Sequence, residues 1–434
     1  MGGKTVGPTS LRGVLKVAGI VHVVGAGVAG LSCAVRLARA GRRVRLYEAA
    51  GQAGGRCRSF YDAALDRVID NGNHLLLSGN RAALAYLDEI GATDSLTGPA
   101  HAEFPFLDLE SGQAWTLRPN AGSIPWWIFS SRSRVPDSRP FDYLRGLRFA
   151  LASTGATVAD CLDTARPLYR RFWEPLAVAI LNASADEGSA ALLWPVLRET
   201  LGRGEAACRP RIAATGLSQS FVEPALSLLG VLGCPVRFNS RVRAMSLIGD
   251  RVNGLDAGGE AVSIEASDAV VLAVPPAVAA GLIPGLEAPR GSRAIVNGHF
   301  RLDQEWPGTS IVGLVGGVSQ WLFRRADIAS VTVSAAGALI DEPADLIAAR
   351  LWPEVARALD LGETPLPPWR IVKEKRATFA QVPAEAARRP GTRTAWRNLL
   401  LAGDWTGTGL PATIEGAVRS GHAAAAVLSA GANT

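Results

Sequence analysis

The chain has 434 residues, a mass of 45.5 kDa and a formal net charge of +6 at pH 7. With 48% apolar and 19% charged residues, the composition excludes an intrinsically disordered protein and predicts one large domain or two to three smaller ones. Arginine supplies 41 of the 45 basic residues and is scattered along the chain, so the positive charge does not predict a nucleic-acid partner.

The start of the chain and the cysteines indicate a cytoplasmic protein. Residues 1–18 are interpreted as a flexible tail, and residues 1–15 lack the long apolar core of a signal peptide. The five cysteines are widely spaced without a C-x-x-C pair, and the five histidines form no H-E-x-x-H motif. We therefore expect neither a disulfide framework nor a metal site.

A strand–helix–strand unit is predicted directly after the tail. Residues 20–24 form a continuous apolar run typical of a buried parallel strand, residues 28–40 have helical spacing, and residues 43–47 form a second strand. This order of elements predicts the opening of an α/β domain.

A G-x-G-x-x-G pattern lies between the first strand and the helix. Gly25 permits the tight turn, Gly27 lets the backbone approach a pyrophosphate, and Gly30 allows close packing of the helix on the strand. Glu48 ends the second strand and is placed to accept hydrogen bonds from both ribose hydroxyls. Together these residues predict a site for an adenine dinucleotide, with its phosphates at the helix N-terminus.

A second glycine pair precedes a basic residue. Gly54 and Gly55 permit a loop that folds back over the pyrophosphate, and Arg56 can pair with a phosphate. The alternative is an ordinary turn followed by a surface arginine.

Helical patterns dominate the next part of the chain, at residues 81–90, 141–153 and 164–183. Within this block, ring-bearing side chains are candidates to line a site for an apolar ligand, and plain core packing is the alternative. The candidates are Trp126, Trp127 and Trp173.

A cluster of Arg132, Arg134 and Arg139 follows the apolar segment 124–129. Two interpretations stay open: peripheral contact with an anionic membrane surface, or a core loop with solvated arginines behind it.

Strand patterns return at residues 236–274, and a final strand, glycine-rich loop and small-residue helix occupy residues 399–428. We expect a nucleotide-binding domain assembled from residues 19–80, 205–285 and 369–434. Residues 81–204 and 286–368 are expected to form a substrate domain.

Three motifs, in this order, resemble the FAD fingerprints of the amine oxidase and phytoene desaturase superfamily. They are the first glycine-rich run, the Gly54-Gly55-Arg56 turn, and the Gly403-Asp404 turn near the C-terminus. The resemblance implies FAD as cofactor. The implied fold is α/β, with a Rossmann-like FAD-binding domain and a second, largely helical substrate domain of the amine oxidase/phytoene desaturase type.

The resemblance also implies roles for residues outside the first turn. Asp404 would bond a ribityl hydroxyl, and a helix starting at Thr413 and Ile414 would direct backbone N–H groups at the flavin N1/O2 edge. Asn73 and Val242 complete the cofactor-binding residues that we expect.

Further segments narrow the resemblance to the bacterial hydroxysqualene dehydroxylases, over nearly all of residues 20–428. The segments are 70–77, 173–182, 273–276 and 403–421. The resemblance implies that reduced FAD removes the hydroxyl group of hydroxysqualene, giving squalene and water on a route toward hopanoids. The electron donor that reduces FAD is not indicated.

Such a reaction needs a proton donor at the departing oxygen. His74 is the first candidate, because it follows the Asp70–Gly72 turn that relatives bring to the flavin, and an unperturbed pKa of about 6.5 suits proton transfer near neutrality. The alternative is a histidine that only packs or hydrogen-bonds beside the cofactor. Glu174, inside an apolar run, is the second candidate, and its alternative is a carboxylate at a helix surface.

Two other functions stay open. A polyprenyl desaturase or amine oxidase would run the flavin in the opposite direction, from substrate to an acceptor. A non-catalytic carrier of prenyl chains would use the same fold without redox chemistry, although a carrier has no need of the flavin-binding residues. A long hydrocarbon substrate favours a peripheral position on the inner face of the plasma membrane.

Overall fold

The computed structural model describes residues 19–430, so the predicted tail lies outside the described residues. The strands, numbered in chain order, are β1 (Ile20–Val24), β2 (Arg43–Tyr47), β3 (Ser59–Asp62), β4 (Arg67–Asp70), β5 (Leu76–Leu77), β6 (Leu96–Thr97), β7 (Phe104–Asp108), β8 (Ala114–Leu117), β9 (Pro210–Ala213), β10 (Val236–Arg237), β11 (Val242–Ile248), β12 (Arg251–Ala257), β13 (Glu260–Ser263), β14 (Ala269–Leu272), β15 (Ser292–Val315), β16 (Trp321–Val333), β17 (Trp369–Phe379) and β18 (Leu399–Leu401).

The α-helices are α1 (Val28–Arg39), α2 (Arg81–Glu89), α3 (Pro140–Leu144), α4 (Val158–Cys161), α5 (Glu174–Leu181), α6 (Ala190–Glu199), α7 (Glu205–Cys208), α8 (Leu217–Phe221), α9 (Glu223–Val231), α10 (Pro276–Leu282), α11 (Ala344–Ala358), α12 (Pro383–Ala386) and α13 (Ile414–Ala430). None of the helices between residues 19 and 430 combines the length and apolar character needed to cross a bilayer.

A five-stranded parallel sheet, in the order β10-β2-β1-β14-β18, forms the nucleotide-binding part of the fold. Strands β1, β14 and β18 consist mainly of buried aliphatic residues, as expected for a parallel sheet covered by helices. The chain leaves β1 toward β2 on one side, whereas β14 lies on the other. This reversal puts a binding crevice at the carboxyl end of β1.

The last helix packs tightly on the first helix. A side chain on Gly421 of α13 would come within 2.2 Å of the carbonyl oxygen of Ala29 in α1, so only glycine permits this approach. The contact brings the turn before α13 close to the glycine-rich turn before α1. Two ends of the sequence therefore build one edge of the crevice.

A second sheet has the strand order β16-β15-β7-β8. Strand β17 pairs with residues 292–300 of β15, whereas β7 pairs with residues 313–315. The long antiparallel β15–β16 pair is the centre of this sheet, and α11 packs against it around a separate apolar cluster. This sheet corrects one predicted boundary, because β17 joins the substrate sheet instead of the third nucleotide-binding piece. Strands β7 and β8 lie inside the predicted substrate domain, in the block that showed mainly helical patterns.

Helix α2 corrects a second boundary. The sequence places it first in the substrate domain, yet its buried side chains Ala83, Tyr86 and Leu87 belong to the core that α1 and α13 share. The N-terminus of α2 is capped by the buried carboxylate of Glu415, which accepts hydrogen bonds from the N–H groups of Ala82 (3.1 Å) and Ala83 (2.8 Å).

The predicted helix over residues 141–153 is wrong as a single α-helix. The chain forms α3 and then a 3₁₀ segment, Arg145–Leu151. Apolar residues in this region recur every three residues, at Phe141, Leu144 and Leu147, and a spacing of three places side chains on one face of a 3₁₀ helix. That face points to solvent, because all three side chains are exposed.

Candidate active site

The three glycines of the first turn serve different purposes. Gly25 has a φ of +101°, and a side chain on Gly30 would lie 1.9 Å from the carbonyl oxygen of Gly25, so the chain itself requires both glycines. Gly27 has an ordinary φ of −73°, and a Cβ there would meet no protein atom within 4 Å. The space beside Gly27 is what a pyrophosphate needs, and a side chain would fill it.

The second glycine loop lies directly against the first. The N–H of Gly54 donates to the carbonyl oxygen of Ala26 (2.8 Å), and a Cβ on Gly55 would lie 3.5 Å from the Cα of Gly27. Gly54 and Gly55 both have positive φ, at +103° and +58°. The two loops form one cradle of backbone without side chains, which fits a dinucleotide diphosphate at the N-terminus of α1.

Glu48 fixes the shape of this cradle. Its Oε2 accepts a hydrogen bond from the N–H of Ala26 (2.8 Å), and its Oε1 accepts one from the N–H of Ala50 (2.9 Å). Each oxygen keeps a further lone pair for a ribose hydroxyl, so the predicted role fits beside the structural one. Val242 begins β11 two residues after Ser240, whose N–H donates to the carbonyl oxygen of Glu48 (2.8 Å).

Arg56 and Asp404 form an ion pair across the crevice. Nη2 of Arg56 donates to both carboxylate oxygens of Asp404, at 2.8 and 2.7 Å, and the negative charge raises the pKa of Arg56 above its ordinary value. Sequence motifs predict a phosphate partner for Arg56 and a ribityl partner for Asp404. The structure pairs the two residues with each other, and the contacts with FAD stay predictions.

A further arginine holds the turn that carries Asp404. Arg389 donates through Nη2 to the carbonyl oxygen of Asp404 (3.1 Å) and to Oγ1 of Thr408 (3.2 Å), while its guanidinium lies over the ring of Phe379. Burial lowers the pKa of Arg389 to about 10, so the group stays charged at pH 7. No sequence motif marks Arg389, since its role depends on contacts with a loop 15 residues later.

Helix α13 starts as the sequence predicts. Oγ1 of Thr413 accepts a hydrogen bond from the N–H of Gly416 (3.1 Å), which makes Thr413 the N-cap and Ile414 the first helical residue. Ile414 is buried, and the N–H of Gly403 donates to Ser420 Oγ (2.7 Å) inside the same helix. The Gly403 turn is thereby fixed to the helix that follows it.

The Asp70–His74 turn rests on the β15–β16 pair. Nδ2 of Asn73 donates to Oγ1 of Thr332 (2.9 Å), which in turn donates to Oδ1 of Asn297 (2.8 Å). Oδ1 of Asp70 accepts from the N–H of Leu217 (2.9 Å). Asn73 thus anchors the turn to the substrate sheet in this structure.

His74 lines a small cavity between this turn and the sheet. Desolvation by the surrounding protein lowers the pKa of His74 to about 4, with Asp70 opposing the shift and Arg56 adding to it. The ring is therefore neutral at pH 7, in contrast to the unperturbed pKa assumed from the sequence. It can donate a hydrogen bond through one nitrogen, and it lies within the electrostatic reach of Arg56.

Glu174 lies in a different environment. It is half-buried at the start of α5, directly after a π-helical turn at Tyr169–Trp173. Burial raises the pKa of its carboxyl group, with Asp186 adding to the shift and Arg170 opposing it. Glu174 is not among the residues that line the cavity of His74, so the structure does not bring the two catalytic candidates together at that cavity.

The three tryptophans separate into one exposed and two buried side chains. Trp126 is 62% exposed, whereas Trp127 and Trp173 are 7% and 6% exposed. The ring of Trp127 packs edge-on against Tyr143, and that of Trp173 packs edge-on against Phe172. The buried pair belongs to the core of the substrate domain, and Trp126 faces outward.

Comparison with known proteins confirms the resemblance. Residues 28–429 match the family described as flavin containing amine oxidoreductase. The chain is 51% identical to the hydroxysqualene dehydroxylase of Rhodopseudomonas palustris, over 95% of this chain and 99% of that protein. It is 47% identical to the hydroxysqualene dehydroxylase of Sinorhizobium fredii, over 93% of this chain and 97% of that protein.

Solved structures confirm the predicted fold class. A crystal structure of an oxidoreductase from Methanosarcina mazei superposes with a TM-score of 0.71, covering 93% of this chain and 99% of that one at 14% identity. At this identity the likeness concerns the fold alone.

Replacement of the first-turn glycines tests the cradle. We expect Gly27→Ala to leave the flavin-free protein as stable as wild type and to raise the Kd for FAD at least about tenfold, because the methyl group fills the pyrophosphate site. Gly30→Ala is the matched comparison and should lower the unfolding temperature, because its Cβ meets Gly25. Flavin absorbance and thermal unfolding measure the two effects. Wild-type FAD affinity in Gly27→Ala would contradict the assignment.

Proposed function

The chain belongs to the flavin-containing amine oxidoreductase family and, within it, to the hydroxysqualene dehydroxylases, and we propose that it converts hydroxysqualene to squalene with FAD as cofactor. The observation that carries the proposal is identity of 51% along 95% of the chain, together with an intact dinucleotide cradle. A prenyl-chain carrier has no use for such a cradle, which disfavours the non-catalytic alternative.

The residues that would hold FAD come from both ends of the described chain. The backbone around Gly27 and Gly55 would hold the diphosphate, Glu48 the ribose, and the N-terminus of α13 the flavin end. Helix α13 has 17 residues, so its free N–H groups carry the partial positive charge of a full helix dipole. That charge would stabilise negative charge on the reduced ring.

The chemistry requires two groups to be delivered to the substrate. When bound, reduced FAD supplies the hydride that replaces the departing hydroxyl group. The protein must stabilise the oxygen as the carbon–oxygen bond breaks, and we assign this role to His74. As a neutral ring it would donate an N–H hydrogen bond to the oxygen, a use of histidine that does not require an imidazolium.

The reaction itself is tested by anaerobic mixing. We expect hydroxysqualene to oxidise the prereduced flavin of the purified protein, with one squalene formed for each flavin reoxidised. Flavin absorbance follows the first change, and chromatography of the lipid extract follows the second. The opposite direction, in which a polyprene or an amine bleaches oxidised flavin while hydroxysqualene leaves reduced flavin unchanged, would favour the desaturase or oxidase alternative.

Single substitutions compare the two catalytic candidates. We expect His74→Phe to slow flavin reoxidation by hydroxysqualene by a factor of about 10² to 10⁴, the range for loss of proton-transfer or hydrogen-bond assistance. Glu174→Gln should lose less, because different charged groups surround Glu174. Both variants are compared at equal FAD content. A larger loss in Glu174→Gln would transfer the role to that residue.

We propose that an apolar surface of the substrate domain contacts an anionic membrane, which places the protein on the inner face of the plasma membrane. Seven of the sixteen large apolar side chains exposed among the described residues fall within residues 124–151. Single exposed apolar side chains are common on protein surfaces, whereas a group of this size indicates an interaction surface. The seven are Ile124, Trp126, Phe129, Phe141, Leu144, Leu147 and Leu151. Exposed Arg132, Arg139 and Arg148 lie in the same segment and complement anionic lipid.

The substrate provides the reason for this surface. A thirty-carbon hydrocarbon gains about 0.8 kcal/mol for each CH₂ group that leaves water, so it resides in the bilayer. Trp127 and Ile128, directly beside exposed Trp126, belong to the buried core of the substrate domain. Contact through this segment would let the lipid pass from the bilayer into the protein without crossing water.

Co-sedimentation with vesicles tests the surface. Wild-type protein should sediment with phosphatidylcholine vesicles containing anionic phosphatidylglycerol, and the double variant Trp126→Ser/Phe129→Ser should bind at least about tenfold more weakly. Val231→Ser is the control, because Val231 is 85% exposed but lies outside the segment. Binding at background level for wild-type protein, or equal binding by the double variant, would refute the contact.

A further inference from the structure

A second histidine faces the cavity that His74 lines. This His74–His299 cavity has a volume of about 30 Å³ and lies between the Asp70–His74 turn and the β15–β16 pair. Its polar lining includes Asp70, Arg325 and Ser330 in addition to the two histidines. The volume suffices for a water molecule or a hydroxyl group.

His299 has an unpartnered atom in this cavity. The side chain is 1% exposed, and its Nδ1 lies 2.7 Å from Oγ of Ser330, a contact in which either atom can donate. Nε2 is buried and has no hydrogen-bond partner of normal geometry, although the backbone of Asp70 lies close enough to raise the pKa of the ring. A buried ring nitrogen without a partner is unfavourable, so a native structure retains one where a ligand or water completes it.

Two of the charged residues of the cavity, Asp70 and Arg325, are paired with each other, and the guanidinium of Arg324 lies over the ring of Trp306, 4.7 Å from its centre. Nη1 of Arg325 donates to Oδ2 of Asp70 at 2.9 Å, and Oδ1 of Asp70 accepts from Oγ of Ser59 at 2.6 Å. Burial lowers the pKa of His299 to about 4, so this ring, like that of His74, is neutral at pH 7. The cavity therefore offers two neutral imidazoles and the Ser330 hydroxyl beside a compensated ion pair, and these neutral groups can hydrogen-bond the oxygen of an alcohol.

An apolar wall adjoins the polar groups. Ile212 and Phe323 line the same cavity and form a buried cluster with Ile311. Leu75 and Trp321 pack against that cluster. A polar end beside an aliphatic and aromatic wall fits a ligand with one hydroxyl group on a hydrocarbon chain.

We propose that the His74–His299 cavity binds the hydroxyl group of the substrate alcohol, with His299 Nε2 hydrogen-bonded to its oxygen, and then holds the water that leaves. The assignment rests on the proposed dehydroxylation. The carbon–oxygen bond breaks with both electrons on oxygen, one proton supplied from solvent completes the water, and the carbon would take the hydride that reduced FAD supplies. Two electrons and two hydrogens are thereby transferred, and one water is released.

The cavity makes His299 a determinant of specificity between an alcohol and a hydrocarbon. Hydroxysqualene and squalene share their carbon skeleton, so the hydroxyl group is the main difference that the protein can detect. A buried group that hydrogen-bonds a ligand hydroxyl discriminates against the analogue without it, because the group then loses its partner. Removal of the imidazole should weaken binding of the alcohol and leave binding of the hydrocarbon nearly unchanged.

Titration of the oxidised holoenzyme isolates this effect, because oxidised flavin cannot reduce the alcohol. Ligand binding is read from the perturbation of flavin absorbance with hydroxysqualene and, separately, with squalene. We expect His299→Phe to raise the Kd for hydroxysqualene at least about tenfold and to change the Kd for squalene less than twofold. His299→Gln keeps an N–H donor and should recover part of the affinity for the alcohol.

Two serines complete the design. Ser330→Ala removes the partner of Nδ1 and should weaken binding of the alcohol in the same direction as His299→Phe, which provides a test if the phenylalanine variant does not fold. Ser319→Ala is the control, since Ser319 is fully buried, has an unpartnered hydroxyl and lies outside the cavity lining. Equal loss of both ligands, or no loss of either, in His299→Phe and Ser330→Ala would refute the pocket.

The same preparation separates this proposal from the proposed function. Wild-type holoenzyme that fails to convert hydroxysqualene after reduction would refute the reaction. Wild-type holoenzyme that converts it, while His299→Phe and Ser330→Ala keep the wild-type ratio of the two dissociation constants, would refute only the hydroxyl pocket.

Discussion

The ion pair between Arg56 and Asp404 joins two loops that lie 348 residues apart in the chain. The ion pair can form because α13 packs so closely on α1 that only glycine fits at position 421, against the backbone of Ala29. Arg389 holds the Asp404 turn from the opposite side through backbone carbonyls. The predicted cofactor contacts at this edge of the crevice depend on the packing of α13 on α1, because that packing brings the glycine cradle and the start of α13 together.

The site combines two arginine–aspartate ion pairs with two histidines that are neutral at pH 7. Arg56 is paired with Asp404 and Arg325 with Asp70, whereas the guanidinium of Arg324, which also lines the cavity, lies over the ring of Trp306. The buried histidines beside them have depressed pKa values, since an unpaired charge in this environment would be desolvated. In the reaction that we propose, the departing oxygen would be stabilised by directed hydrogen bonds in a site of low dielectric, where such bonds are strengthened.

Local chemistry explains what could be predicted from the sequence. Gly25 and Gly30 are required by their immediate neighbours, and Thr413 caps the helix that begins at the next residue, so short motifs carry these features. The position of strand β17, and the position of His299 beside the cavity, depend on pairing with strands that are distant in the sequence. The periodicity of nearby residues does not predict such pairing. The spacing of three between apolar residues that starts at Phe141 is also a local feature. Whether those side chains point to solvent or to the core depends on which other elements pack on the segment.

The exposed apolar side chains of residues 124–151 and the buried polar cavity suit different parts of the same ligand. A molecule with a long hydrocarbon chain and a single hydroxyl group needs an apolar surface for transfer and one polar point for orientation. If the interior were polar throughout, the chain would lose the free energy of leaving water, about 0.8 kcal/mol for each CH₂ group. If it were apolar throughout, the hydroxyl group would be buried without a partner, at a cost of about 1–3 kcal/mol. In our proposal Nε2 of His299 removes that cost, because it is buried without a partner of normal geometry and belongs to a residue that lines the cavity with Phe323 and Ile212.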